Sequence, residues 1–552
     1  MIFREVQLVL FTILLCTDQV HGTDCKKKDF SESSFVCECT ANYCDDIDQD
    51  FDALPGQYIA YTSTKDELRL NRTTSKLVPD TDESGDLRLT INRTARYQKV
   101  LGFGGAFTDS ATINIMKLSE SVQEHVLNSY FSKNGIEYNM GRIPMASCDF
   151  STRNYSYDDV PGDFNLTNFA LAMEDLTYKI PIIKRAEAVA SRPIKLFGSP
   201  WGPPFWMKTN QDMTGGAPLY GEPGGKYYKT WALYFARFIE EYAKKDVTIW
   251  GLTGENEPTA GEVERYLWQC LYFNASMQRD FIKLDLGPQL AKSGFSDVKL
   301  MILDDQRFLL PGWAETVLSD EEAAQYVSGI AVHWYYDDLF PASVLTQTHE
   351  LFPDYFMLGT EACEGYLPLD RAVILGSWER GEAYSKDIIE DMNNFVAGWV
   401  DWNLVLDMEG GPNWVSNFVD APIIADLEND VIYKQPMFYH LAHLSKFVEP
   451  DSVRIGVTTK CTATSGCNKF DSIAFELPDE SGRVAVVVSN RNNKQADIKI
   501  CETEVGCIRT TVASRSIQTF IYTNKPADST STLSFSYFTT FLGLLMSIFW
   551  NS

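Results

Sequence analysis

This 552-residue chain is poor in cationic charge: 48 Lys and Arg stand against 75 Asp and Glu, a formal net charge of −27. That balance argues against a nucleic-acid partner, whose phosphate backbone demands a cationic footprint. It suits an acidic lumen, where carboxylates protonate and self-repulsion falls, though ordinary solubility charge is the plainer alternative. No Gly-x-Ser-x-Gly elbow and no Walker A loop occur, which removes those two catalytic templates. Gly102-Phe103-Gly104-Gly105 lacks the third glycine of a dinucleotide loop, so it reads as close backbone packing at the start of a barrel. His440 and His443 stand three apart on a helical stretch without a third candidate ligand, and read as structural rather than metal-binding. No metal and no cofactor is implied, and neither an internal repeat nor a long linker interrupts the chain.

What is present fits a large folded protein of at least two domains, with 45% hydrophobic and 22% charged residues. The 12 Trp, 26 Tyr and 33 Phe supply core, and at selected positions platforms for sugar rings. Residues 1–22 read as a signal peptide: Arg4, the apolar run LVLFTILL, then Val20-His21-Gly22 before the cleavage point. Five Asn-x-Ser/Thr sequons follow, at Asn71, Asn92, Asn154, Asn165 and Asn274, and point to a glycosylated lumenal protein. After Asn524-Lys525-Pro526 the polar ADSTST leads into FTTFLGLLMSIFW, too short for a transmembrane helix of ~20 residues. Residues 527–552 resemble a GPI-attachment signal, with a membrane-touching or disordered tail as the alternatives.

Of 12 cysteines, Cys16 leaves with the signal. Cys461 and Cys467, like Cys501 and Cys507, lie six apart in turn-rich sequence, which suits local disulfides. Cys25, Cys37, Cys39 and Cys44 cluster where a short mature N-terminus needs staples, with zinc as the competing reading. Cys148, Cys270 and Cys363 remain as free thiols.

From about residue 98 to 403 short apolar strands alternate with helical stretches such as KTWALYFARFIEEYAKK. Eight strands are expected at 100–107, 140–146, 195–201, 248–257, 298–306, 329–334, 355–361 and 398–403, a (β/α)8 barrel. From about 452 to 525 apolar alternation is broken by DESG, NRNNK and EVG, an all-β sandwich module. The strand-like segment 51–97 is expected to join it, so that this module is built from two chain segments.

Catalytic side chains of a parallel barrel project from the C-terminal ends of its strands. Gly254-Glu255-Asn256-Glu257-Pro258 ends the fourth expected strand and Gly359-Thr360-Glu361-Ala362-Cys363 the seventh. Facing strands of this kind can bring two carboxylates to the ~5 Å separation of a retaining glycosidase, one as acid/base and one as nucleophile. An Asn just before the acid, Asn256, suits a bond to the sugar 2-hydroxyl. Arg142 and Tyr335 are expected to hold Glu361 by charge and hydrogen bonding, while Glu257 is expected to lack such partners. Read from spacing alone, Glu255, Glu257 and Glu361 are more readily surface carboxylates, as most glutamates are.

Longer motifs carry more. Arg142-Ile143-Pro144-Met145-Ala146-Ser147-Cys148-Asp149-Phe150, Ser199-Pro200-Trp201, Glu255-Asn256-Glu257-Pro258, Ala331-Val332-His333-Trp334-Tyr335 and Asp401-Trp402-Asn403 resemble the acid β-glucosidases, or glucocerebrosidases, of glycoside hydrolase family 30. So does the stretch from Glu409 to Asp420, EGGPNWVSNFVD. The likeness covers nearly all of the mature chain, including the spacing of the four N-terminal cysteines. It implies a (β/α)8 barrel (98–403 plus about 436–451), the two-segment β-sandwich (51–97 plus about 452–525), and a small cysteine-bridged β element (23–50 plus about 404–435). Candidate bridges are Cys25–Cys37, Cys39–Cys44, Cys461–Cys467 and Cys501–Cys507. The resemblance further implies hydrolysis of the β-glucosyl bond of glucosylceramide with retention, within sphingolipid metabolism. Position by position, Glu257 matches the acid/base and Glu361 the nucleophile. Asp149, Trp201, Asn256, Trp402 and Asn417 match residues that hold glucose; Arg142, His333 and Tyr335 match the support around the nucleophile. Membrane-borne glucosylceramide, a saposin-like activator and anionic lipid are the implied partners.

Departures from the family pattern are local. The segment Glu364-Gly365-Tyr366-Leu367-Pro368-Leu369-Asp370 at the expected entrance is not the usual one, and the apolar tail opens a GPI-anchored surface location beside the lysosome. Two further readings stand beside the main one: a family sibling such as a xylanase or β-1,6-glucanase, and a catalytically silent carbohydrate-binding barrel. The presence of both Glu257 and Glu361 argues against the latter.

Overall fold

The computed structural model describes residues 23–48, 51–463, 466–479 and 482–524. The expected signal peptide and apolar tail lie outside the described residues. Among the described residues, no helix is long and apolar enough to cross a membrane.

Eight parallel strands close into a barrel: β1 (Gly102–Ala106), β2 (Met140–Met145), β3 (Lys195–Pro200), β4 (Ile249–Thr253), β5 (Lys299–Gln306), β6 (Val327–His333), β7 (Phe356–Glu361) and β8 (Val396–Asn403). They are buried almost throughout, as parallel strands covered on both faces must be. The interior is filled rather than open: Met140, Phe197, Met301, Ala331, Leu358 and Val400, from six different strands, pack into one cluster. At Gly104 a Cβ would sit 2.1 Å from the Met140 carbonyl, so only glycine lets β1 and β2 approach this closely.

Outside the barrel, helix α1 (Lys226–Ala243) buries Trp231, Phe235, Phe238 and Tyr242, a three-to-four residue spacing that keeps one face against the strands. Helix α2 (Trp378–Asn393) packs on α3 (Pro436–Ser445). On α3, His440 and His443 are fully buried; His440 bonds Ser385, and His443 bonds Ser63 and Thr519 at 2.9 Å each.

A nine-stranded sheet combines three strands from residues 57–99 with six from residues 453–523. Leu87, Leu89, Ile498 and Ile500 share one core with Tyr58, Val486, Phe520 and Tyr522, so the sheet folds over as a β-sandwich. A five-stranded sheet pairs Phe35–Cys39 with Val431–Lys434 and forms the small disulfide-bonded element. Four disulfides join Cys25–Cys37, Cys39–Cys44, Cys461–Cys467 and Cys501–Cys507, so the N-terminal cysteines are not zinc ligands. Cys148, Cys270 and Cys363 are free and buried.

Strand ends fall within two residues of expectation except in one place. The fourth strand was expected to run to Glu257 but ends at Thr253. Glu257 has a left-handed backbone, φ 42° and ψ 59°, and Pro258 opens a 3-10 turn. Beyond the strand, the Asn256 N–H donates to the Pro200 carbonyl and the Glu257 N–H to the Asp304 carbonyl, both at 2.8 Å. The ladder is thus replaced by two bonds that aim the chain across the mouth.

Candidate active site

Arg142, on β2 and fully buried, is the hub of the barrel mouth. Its Nε donates to Ser199 Oγ on β3 (3.1 Å), and its Nη2 to Asn256 Oδ1 (2.7 Å) and Asp304 Oδ2 (2.9 Å). Its Nη1 donates to Glu361 Oε2 at the end of β7. Tyr335 Oη, just after β6, donates to the other oxygen, Glu361 Oε1, at 2.7 Å. Both oxygens of Glu361 are therefore held, one by charge and one by a hydroxyl, as expected.

Glu257 departs from expectation. It was expected to lack partners, yet Glu257 Oε1 lies 3.1 Å from His333 Nδ1 and accepts from Gln306 Nε2 at 3.1 Å. His333 was expected beside the nucleophile; its hydrogen bonds go to Glu257 and, through Nε2 at 3.1 Å, to Asp304 Oδ1. Burial works against charge on this ring, but Glu361, Asp304 and Glu257 outweigh it and push its pKa up to about 10. Both ring nitrogens of His333 thus face carboxylate oxygens, an arrangement that favours the protonated ring.

A carboxylate oxygen of Glu257, one of Glu361 and a His333 nitrogen all lie within 4.8 Å of one another. The Glu257 side chain is 20% exposed and that of Glu361 8%; both open to the mouth while everything beneath them is sealed.

Beside the Arg142 guanidinium, Trp201 and Trp402 stack with ring centroids 5.0 Å apart, and Phe150 meets Trp402 edge-on at 5.9 Å. The Arg142 guanidinium lies 4.9 Å from the Trp201 ring and 5.3 Å from the Trp402 ring. Asp149 Oδ2 accepts from Asn417 Nδ2 (3.0 Å) and Asn413 Nδ2 (3.3 Å). Burial, aided by the Glu361 charge and opposed by these amides, pushes Asp149 up to about 7. The mouth thus offers an apolar wall, a ring of amide and carboxyl groups, and two carboxylates, which is the equipment for gripping a sugar and acting on its anomeric bond.

Asp304 went unrecognised in the sequence. Fully buried at the end of β5, it accepts from Arg142, His333 and Thr360 Oγ1 (2.7 Å). Burial would raise its pKa, but Arg142 and His333 hold it well below the usual carboxylate range. Leu303 and Asp304 have φ of 71° and 60°, and the β5–β6 register shifts between Leu303 and Asp305. This bulge turns the Asp304 side chain inward; only the doubled Asp304-Asp305 at a strand end hinted at it. Glu255, next to Asn256, is the other surprise. It is fully buried with neither oxygen hydrogen bonded, and burial, against the pull of Lys208, keeps its carboxyl well above the usual range.

The five sequon asparagines, Asn71, Asn92, Asn154, Asn165 and Asn274, are all exposed.

Against known families, the profile of the glycosyl hydrolase family 30 TIM-barrel domain matches residues 100–448 and that of the family 30 beta sandwich domain residues 451–520. The chain belongs to glycosyl hydrolase family 30. It is a glycosidase by that membership. It is 47% identical over 518 residues to the lysosomal acid glucosylceramidase of Mus musculus, covering 94% of this chain and 99% of the mouse protein. It is 47% identical over 462 residues to putative glucosylceramidase 4 of Caenorhabditis elegans, covering 84% and 87%. Among solved structures, the endo-beta1,6-glucanase BT3312 superposes with a TM-score of 0.74 at 26% identity, covering 85% of this chain and all of that one.

Proposed function

We propose that this family 30 hydrolase cleaves the β-glucosyl bond of glucosylceramide, releasing glucose and ceramide with retention of configuration. The observation that carries the mechanism is the approach of Glu257 and Glu361 to within 4.8 Å, the ~5 Å class of separation used for double displacement rather than the wider gap that admits a water. Glu361 attacks the anomeric carbon while the protonated Glu257 delivers its proton to the departing glycosidic oxygen. A glucosyl ester on Glu361 results. Glu257, now a base, takes a proton from water as that water displaces Glu361, and both residues return to their starting states.

Arg142 and Tyr335 hold the attacking carboxylate in line; His333 and Gln306 fix the direction of Glu257. Asn256, itself held by Arg142, faces the sugar 2-hydroxyl. Asp149 and Asn417 bind the remaining hydroxyls, and Trp201 with Trp402 covers the sugar's C–H face.

The glucosylceramide aglycone is supported by the name and extent of the mouse relative, as is a lysosomal, secretory-pathway address; a saposin-like activator and anionic lipid belong to the same reading, with a GPI-anchored surface form as the alternative. The β-1,6-glucanase likeness at 26% identity favours a polymer-acting sibling as the second reading. The deciding experiment offers purified protein glucosylceramide, xylan and β-1,6-glucan and follows the first-formed anomer by NMR. Release of β-glucose from glucosylceramide alone supports the proposal. First-formed α-glucose sinks the mechanism, and preference for a glucan sinks the substrate. Glu361→Gln abolishes turnover on this reading.

A further inference from the structure

Tyr335 reaches Glu361 from a short loop, and that loop is tied down at a buried cluster away from the sugar site. Two residues beyond Tyr335, Asp337 turns inward, with its N–H donating to the Trp334 carbonyl at 2.9 Å. It meets Asp387 and Asp391, one helical turn apart on α2. One oxygen from each of the three carboxyls lies within 4.8 Å of the others, and all three residues are buried.

Arg307, just after β5 and also buried, is the cation that enters this cluster. Its Nη1 donates to Asp391 Oδ1 at 2.7 Å and lies 3.0 Å from Asp337 Oδ2. Its Nη2 donates to the Asp337 and Phe340 carbonyls at 2.7 Å each. Glu390 approaches Arg307 only at 3.6 Å. Lys386 faces outward to Asp338 at 2.6 Å. Tyr366, from the loop after β7, is the further ionisable group that senses Asp337. Three buried carboxyls therefore share one guanidinium, a deficit of positive charge that a buried site does not sustain.

Protons make good the deficit. Neither oxygen of Asp337 receives a hydrogen bond from an N–H or hydroxyl group. Of the two carboxyls that bring an oxygen within 4.8 Å of one of its own, Asp391 accepts from Arg307, while Asp387 accepts from Trp399 Nε1 at Oδ2, 3.0 Å away. Two carboxyls bond to each other only through a proton. We propose that Asp337 and Asp387 share a proton that fastens the loop after β6 to α2, making Asp387 a positioning residue for Tyr335 and, through it, for Glu361.

Burial, with the charges of Asp387 and Asp391, raises Asp337 above the ordinary carboxylate range, and burial raises Asp387 against the pull of Arg307. The docked loop then binds a proton that the released loop gives up. Docking is complete in acid and weakens as pH rises above the ordinary carboxylate range, the sign expected for raised acids. Exposed Tyr336, Leu339 and Phe340 ride on the same loop, so its release also rearranges that exposed apolar surface.

The link to turnover rests on the role proposed for Glu361; the latch itself is read independently by hydrogen exchange. In the intact protein, protection of residues 334–342, corrected for intrinsic rates, is expected to fall at least about tenfold between pH ~5 and pH ~7.5, since a one-proton linkage changes an equilibrium tenfold per pH unit. Asp387→Asn keeps a hydrogen-bonding group without the charge. It should hold that protection at the higher pH and extend the alkaline limb of kcat/KM on a soluble aryl β-glucoside, with acid-side turnover unchanged. Asp391→Asn, a second uncharged variant, should shift both readouts the same way. Superimposable exchange and pH profiles for wild type and both variants would overturn the latch. Protection at the higher pH restored by Ca2+ and removed by chelation would also overturn it, identifying a cation site instead. Absence of β-glucosidase activity in wild type would defeat the proposed function, while exchange still decides the latch.

Discussion

Arg142 and Asp304 face each other at 2.9 Å with neither side chain exposed to solvent. Asp304 also receives His333, and Arg142 also grips Glu361. One buried carboxylate therefore couples the residues that hold Glu257 and Glu361.

Asp304→Asn should damage turnover out of proportion to its size. Removing this charge leaves Arg142 and His333 over-supplied with positive charge, a loss of about 3–5 kcal/mol for a broken buried pair. Both glutamates lose their alignment, so kcat is expected to fall by about 10²-fold or more, the usual scale for displaced acid–base groups. Steady-state kinetics and thermal unfolding measured together test this; near-normal kcat with lowered stability alone would reduce Asp304 to a purely structural role.

The two glutamates should separate by leaving group. Glu257→Gln removes the proton donor, so hydrolysis of a poor leaving group such as an alkyl glucoside should fall by about 10²–10⁴-fold. An activated aryl glucoside needs no protonation to depart, and its first step should be largely spared. A burst of phenol followed by slow turnover is the expected trace; equal losses on both substrates would mean that Glu257 is not the acid.

Much of this was legible beforehand, for identifiable reasons. Barrel strands are short apolar runs with functional groups at one end, so their positions and the line-up of Arg142, Glu361 and Tyr335 could be read from the order of residues. Hidden were features made by backbone turns and distant contacts. Glu257 leaves its strand through a left-handed residue, a conformation that non-glycine residues adopt rarely. That turn, not strand direction, carries it to His333 and Gln306. Asp304 depends on a bulge in β5, and nothing local distinguishes it from Asp305. The Asp337, Asp387 and Asp391 cluster joins a loop to a helix some 50 residues away, a relation carried only by the fold.

His443 links α3 to Ser63 and Thr519 of the sandwich, and burial pulls its pKa down to about 3. Its folded pKa lies below the ordinary histidine value, so its contribution to stability is complete above about pH 6.5 and is lost as pH falls toward the depressed value. At pH ~5 the cost is about 2 kcal/mol, from 1.36 kcal/mol per pH unit. His443→Gln bonds without titrating. Its denaturant midpoint should fall less than that of wild type between pH ~7 and pH ~5; parallel curves would remove His443 from the acid response.

The Trp201–Trp402 stack closes one wall of the mouth and also covers the Arg142 guanidinium. Trp201→Ala therefore does two things. It opens a cavity in a site where Trp201 is almost wholly buried, at about 3–5 kcal/mol for loss of a large aromatic. It also lets water reach Arg142, which weakens the grip on Glu361 because charges interact more feebly in a higher dielectric. Trp201→Phe keeps an apolar face over the guanidinium while shortening the platform. If the wall serves mainly to bind sugar, the Phe variant should raise KM and leave kcat close to wild type, whereas the Ala variant should lower both kcat and kcat/KM. A Phe variant whose kcat falls as far as that of Ala would show that the indole itself, rather than an apolar cover, holds Arg142 in place.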